Sequence, residues 1–158
     1  MELTLILHNI RSVYNVGSIF RTADAAGVSR IILTGYTPAP VDRFKFTRKD
    51  FTKVSLGAEK SMPWKQVKNP YAAIAQLKSA GFAIVGIEQD PRATSLFDFK
   101  PSHDKPLALV LGNEVRGLSK QLLAKCERIV EIPMQGKKES LNVSVAAGVA
   151  LFAIMQRK

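Results

Sequence analysis

Three stretches of the chain concentrate the side chains that chemistry would use. The first, residues 9–24, carries Asn9, Arg11, Ser12, Asn15, Gly17 and Arg21 between an apolar run and a helical pattern. Asparagines and arginines at the end of an apolar strand are poor packing material and good ligands for phosphate and hydroxyl oxygens. Gly17 lets the backbone turn or approach a ligand closely. Arg21 is expected one turn into the following helix, from where it can return to the loop. The second stretch, residues 109–118, is an apolar run that leads straight into Gly112, Asn113, Glu114 and Gly117. Its spacing is neither a dinucleotide fingerprint nor a P-loop. Glu114 offers a carboxylate that can accept hydrogen bonds or neutralise a cation. The third, residues 132–148, re-enters a helix near Ser140, headed by Ser140, Asn142 and Ser144. Backbone N–H groups at a helix start bind polar rims and carboxylates, and three polar residues exceed what capping needs. Each stretch also has a plainer reading: a capped turn with a solvated arginine, a surface turn before Ser119, and a set of N-caps.

Other chemistry is sparse. His8 ends an apolar strand and reads as a structural hydrogen-bonder, and His103 reads as a solvated loop residue. Two separated histidines and one cysteine, Cys126, make a poor metal site, and no Ser–His–Asp arrangement can be argued. The lone cysteine also rules out a disulfide framework, which fits a reducing cytoplasm. Trp64 reads as packing beneath a long loop. Tyr14 suits packing and base stacking equally. The first residues lack a basic leader, so no signal peptide is expected, and the longest apolar run, residues 143–155, is too short to span a bilayer.

The net charge is +10 over 158 residues. That surplus points to a polyanion, nucleic acid before anionic membrane. The basic residues include a cluster at Arg43, Lys45, Arg48, Lys49 and Lys53.

The length suits one domain, 1–158. Strands are expected at 3–7, 30–33, 82–87, 107–111 and 129–132. Helices are expected at 17–27, from Asn69-Pro70 to Gly81, at 119–126 and from Ser140 onward. Residues 35–61 read as a long functional loop with one short helix near 55–60. Alternating strands and helices predict an α/β fold, its mostly parallel sheet flanked by helices and covered on both faces. The last helix has no polar stripe and should be buried all round, either as a central core helix or, as so small a domain favours, against a second copy of the chain.

The order and spacing of the three stretches, together with Ser55-Leu56-Gly57-Ala58-Glu59, resemble the SpoU/TrmH branch of the SPOUT methyltransferases over residues 3–155. The resemblance implies a deep C-terminal trefoil knot, formed where the chain threads through a loop. It implies a homodimer through the first and last helices, and no membrane partner. It implies S-adenosyl-L-methionine as methyl donor, with Ile87, Leu111, Gly112, Asn113, Glu114, Ile132, Met134, Ser140, Leu141 and Asn142 around it. Arg21, Asn142 and Glu114 fall on catalytic positions. The expected reaction is methyl transfer to a ribose 2′-OH of tRNA or rRNA in the cytoplasm. The RNA is expected on Arg11, Asn15, Arg21, Arg43, Lys45, Arg48, Lys49 and Lys53. Arg21 and a substrate phosphate would polarise the hydroxyl. The chain reads as a minimal form without the N-terminal substrate-binding domain that many members carry. Two alternatives stand beside this one. One is methylation of a base nitrogen, and the other is a non-catalytic RNA-binding module, which the intact Arg21, Glu114 and Asn142 disfavour.

Overall fold

The apolar runs become strands of a single parallel sheet. The computed structural model describes residues 1–156, so the end of the expected 1–158 domain, Arg157 and Lys158, lies outside the described residues. The chain runs β1 (Leu3–His8), α1 (Val13–Ala26), β2 (Arg30–Thr34), α2 (Lys49–Ser55), α3 (Ala58–Ser61), β3 (Trp64–Gln66), α4 (Pro70–Ser79), β4 (Ala83–Ile87), β5 (Thr94–Ser95), β6 (Leu107–Leu111), α5 (Lys120–Leu123), β7 (Arg128–Glu131) and α6 (Val143–Met155). The seven strands lie in the order β3-β2-β1-β6-β4-β7-β5, every pairing parallel. β1 is an interior strand next to the central β6, with Leu5 opposite Ile31 on one side and Leu109 on the other.

Two apolar cores cover the two faces. Leu5, Leu7, Ile19, Phe20, Ala147 and Leu151 belong to one, and Ile6, Ile32, Ile74, Leu77, Val110 and Leu122 to the other. Successive residues of β1 therefore point into different cores, and both are apolar. That is why the strand reads as a nearly continuous apolar run, interrupted only by the buried Thr4, rather than an alternating one. Truncating Leu5 to alanine there should cost about 2–5 kcal/mol.

Several boundaries differ from the expected ones. α1 begins at Val13, because Ser12 is its N-cap and accepts the Asn15 N–H at 3.2 Å. Arg21 therefore lies two turns into α1, not one. Gly27, at φ 79°, ends the helix as expected. Gly17 serves packing rather than a ligand: a Cβ there would lie 2.4 Å from Val54 Cγ2 and 2.9 Å from the Phe51 carbonyl oxygen. It lets α1 and α2 touch. The long loop holds two helices instead of one, and α2 is anchored by Phe51 packed edge-on against Phe20 at 5.1 Å. α5 is shorter than expected. β3 and β5 were not expected at all. Trp64 sits half-buried in β3, against the first core. α4 opens at Asn69-Pro70 as expected, with the Asn69 side chain accepting from Tyr71 and Ala72 N–H.

α6 starts at Val143 with Asn142 as N-cap, not at Ser140. Its buried face (Val143, Ala147, Ala150, Leu151, Ile154) packs in the core beside α1. A Cβ on Gly148 would lie 3.5 Å from Thr22 of α1. The opposite face is not covered by the chain itself: Val145 is 50% exposed and Phe152 39%. No helix among the described residues is long and apolar enough to cross a membrane.

Candidate active site

Strands end and loops begin where β4, β6 and β7 finish side by side, and a cleft of about 250 Å³ opens there. Such a position, at the carboxyl ends of parallel strands, is where α/β sheets hold ligands. One wall is the turn after β6. Its Asn113 side chain accepts the N–H groups of Val115 and Arg116 at 2.9 and 2.8 Å, and its carbonyl accepts the Gly117 N–H at 2.9 Å. The turn folds back so tightly that a Cβ on Gly112 would lie 2.6 Å from the Gly117 carbonyl. Glu88, just beyond β4, locks it from below by accepting the Leu118 N–H at 2.8 Å. The facing wall is the segment from Ile132 to Leu141 and the first turn of α6.

A polar chain joins the three sequence motifs at the rim. Glu114 accepts the N–H groups of Arg11 and Ser12, each at 3.1 Å, at the start of α1. It also accepts the Asn15 amide at 3.2 Å. Asn15 in turn accepts from the Asn142 amide at 3.2 Å. Asn142 accepts from the Ser144 N–H at 2.8 Å and hydroxyl at 2.6 Å. The carboxylate sets the direction of the whole chain. It can only accept, so Asn15 must turn its NH₂ toward it and its oxygen toward Asn142, whose NH₂ must then donate. Burial pushes the Glu114 carboxyl up. The hydrogen bonds from Arg11, Ser12, its own N–H and Asn15 outweigh that, and its pKa lies below the ordinary carboxylate value.

Ile87, Leu111, Gly112, Asn113, Glu114, Ile132, Met134, Ser140 and Leu141 all line the cleft. Asn142 does not; it stands at the rim and reaches Glu114 through Asn15. Glu88, Gln89, Val115, Gly117, Glu131, Val143 and Ala146 line it too and were not anticipated. For Glu88 and Gln89 the signal was available, since both directly follow an apolar strand. Arg21 lies apart from the cleft of its own chain. It is exposed on α1, roughly 9 Å along the axis from Asn15, and its side chain makes no ion pair or hydrogen bond among the described residues.

Arg11, Arg43, Lys45, Lys49 and Lys53 are exposed. Arg48 is only half-exposed and already pairs with Asp50 at 3.3 Å, and the hydrogen bond from Arg48 holds the Asp50 carboxyl below its usual range. It is thus less available to RNA than expected. His8 contacts the Thr34 hydroxyl at 3.0 Å, and burial lowers its pKa, as suits a structural residue. Burial pushes the Cys126 thiol up to about 11.

The sequence and the fold both have known counterparts. The model of the SpoU rRNA methylase family matches residues 2–152. A 23S rRNA (guanosine-2′-O-)-methyltransferase, RlmB, from Ralstonia nicotianae is 37% identical over 98% of the chain. The chain spans about 60% of the length of the curated relatives it matches. Among solved structures, an AdoMet-bound rRNA methyltransferase from Sinorhizobium meliloti superposes with a TM-score of 0.86 at 30% identity, over 96% of this chain and 55% of that one. A TrmH/SpoU tRNA modifying enzyme of A. aeolicus superposes at 0.84 with 27% identity, over 99% and 75%. The family match runs from β1 into α6, and the chain belongs to the SpoU rRNA methylase family.

Proposed function

We propose that this chain transfers a methyl group from S-adenosylmethionine to a ribose 2′-hydroxyl of tRNA or rRNA, in the cytoplasm and as a homodimer. The charge of the cleft carries the reading. Glu88, Glu114 and Glu131 line it, and among the described residues no lysine or arginine does, although the chain as a whole carries +10. A recess of that sign in a basic protein selects a cationic ligand, and S-adenosylmethionine is a sulfonium that also bears an amino group. Ile87, Leu111, Ile132 and Leu141 offer apolar walls for its adenosine. The threaded C-terminal segment implied by the family belongs to the same proposal, since the segment before α6 forms one of those walls.

Bound there, the donor supplies an electrophilic methyl, and the chain's own residues do the rest. Glu114 and the 112–117 turn hold one wall fixed and tie it to α1. Asn15 and Asn142 present amides at the rim. Arg21 donates hydrogen bonds and accepts none, so its part is to polarise the hydroxyl, with a substrate phosphate, and to stabilise the growing oxyanion. The dimer is supported by the open apolar face of α6 beside α1, which also carries exposed Tyr14. A second copy packed on those two helices would bring each Arg21 toward the other copy's cleft.

The test has two parts. Titration calorimetry should show S-adenosylhomocysteine binding, and binding should be lost on Gly112→Val. Methyl-labelled tRNA and rRNA, digested to nucleosides, should yield a 2′-O-methylnucleoside. A base-methylated product would move the reaction to a nitrogen. No labelling and no donor-analogue binding would leave an RNA-binding module.

A further inference from the structure

Residues 42–46 form a built turn that holds two phenylalanines out in water. Val41 and Thr47 bridge antiparallel across its base. Between them the Asp42 carboxylate accepts the N–H groups of Phe44 and Phe46 at 2.8 and 3.0 Å, and the Asp42 carbonyl accepts the Lys45 N–H at 3.0 Å. Lys45 takes a left-handed conformation, φ 68°, to close it. So ordered a turn presents its side chains by construction. Phe44 is 65% exposed and Phe46 70%. The Arg43 guanidinium lies over the Phe44 ring at 4.7 Å.

Asp42, Arg43, Phe44 and Lys45 of this turn wall a concavity shared with Tyr36 and Arg48, and Phe46 stands on the same turn outside that lining. Its acidic groups are already engaged, Asp42 by the turn and Asp50 by Arg48. What it offers outward is cations and aromatic rings. It also adjoins the cleft: the Asn113 amide, on the cleft wall, donates to the Tyr36 hydroxyl at 3.0 Å.

We propose that this concavity binds unpaired RNA nucleotides next to the target ribose. Phe44, on the wall of the concavity, and Phe46, exposed beside it on the same turn, stack on successive bases, and Arg43 and Lys45 hold the intervening phosphates. Rings at the tip of a turn can reach only bases whose faces are open, which a duplex does not offer. Stacking between interleaved cations is how single strands are held without sequence preference. The proposal rests on the donor-cleft reading for its placement beside the target, though stacking can be measured without it.

The test uses the full chain and a short unstructured RNA carrying 2-aminopurine, alone and annealed to its complement. The wild type should quench the single-stranded probe and bind it more tightly than the duplex. The double variant Phe44→Ala, Phe46→Ala should weaken single-strand affinity about tenfold for each stack lost. Phe44→Leu, Phe46→Leu should be as weak, because leucine keeps the apolar volume and loses the ring face. The log–log salt slope should be unchanged in both ring variants. It should fall by about 0.7 per residue in Arg43→Ala, Lys45→Ala. S-adenosylhomocysteine affinity, equal in all variants, verifies that each is folded. Wild-type affinity in the leucine variant would overturn the proposal, because the ring faces would then not be needed. Equal binding of duplex and single strand without quenching would overturn it as well. A wild type that quenches the probe but binds no S-adenosylhomocysteine would sink the donor-cleft reading and leave this one standing.

Discussion

Asn15→Asp is the sharpest probe of the polar chain, because it changes one atom's charge and almost nothing in shape. It puts a second carboxylate where an amide nitrogen now sits 3.2 Å from Glu114. Two unit charges at that distance repel by about 5 kcal/mol at an effective dielectric of 20 and by about 1.3 kcal/mol in bulk water. Glu114 is half-buried at a solvated rim, so a cost of about 2 kcal/mol at neutral pH is reasonable. For a chain of this size that lowers Tm by roughly 4–8 °C. The pH dependence carries the diagnosis. In the wild type the folded-state pKa of Glu114 is lowered, so its stabilisation is present above the ordinary carboxylate value and lost as pH falls. In the variant, two carboxylates in one site raise a folded-state pKa. Its penalty is then absent at low pH and appears as pH rises through that value. Calorimetry of both proteins between about pH 4 and pH 8 should therefore show the Tm gap widening with pH. Asn15→Ala removes the hydrogen bonds without adding charge, and its gap should be flatter. A constant gap for Asn15→Asp would mean that Glu114 does not face Asn15 as a carboxylate, and the directed chain would be wrong.

Arg21→Ala should lower the methylation rate about 10²–10³-fold while leaving S-adenosylhomocysteine affinity nearly intact, and Arg21→Lys should recover little, since an ammonium cannot copy the planar fork. A near-normal single-turnover rate would reduce Arg21 to a phosphate contact. Phe152→Glu should convert the homodimer to monomers in sedimentation velocity, whereas a wild type that already sediments as a monomer at micromolar concentration contradicts the dimer. Gly112→Ala drives a methyl to 2.6 Å from the Gly117 carbonyl, so the turn must shift. S-adenosylhomocysteine binding should weaken by tenfold or more, and unaltered affinity would show that the turn does not touch the donor.

The parts of the fold that were legible share a physical cause. β1, β2, β4, β6 and β7 bury their middle residues on both faces, so their sequences are largely apolar runs bounded by polar residues. Asn69-Pro70 announces a helix start because cap and ring act locally. β3 and β5, three and two residues long, are edge strands defined by a neighbour rather than by their own side chains. α2, rich in charged residues, is held by Phe51 against Phe20 and by the gap at Gly17, contacts that no local pattern reveals. The first turn of α1 looked like loop because Asn15 is polar, yet its amide belongs to a network with residues about a hundred positions away. Most of the cleft lining came from the family resemblance, which placed Asn142 there although it stands at the rim, and left out Glu88, Gln89, Val115, Gly117, Glu131, Val143 and Ala146. The role of the 42–46 turn was not, because a count of cations overlooks the rings that alternate with them.

The pairing of β1 with a strand made much later has a consequence for synthesis. The first residue of β1, Leu3, pairs with Leu107, while its other neighbour, β2, follows within about thirty positions. At about 5–20 residues per second, the ribosome leaves β1 with one open edge for roughly 4–15 s between the end of β2 and the end of β6. An apolar, unpaired strand edge is a template for wrong pairing. Holdase protection of the nascent chain therefore matters most while residues 35–106 are being made, and slowing translation within that segment should raise aggregation more than slowing it after Leu111.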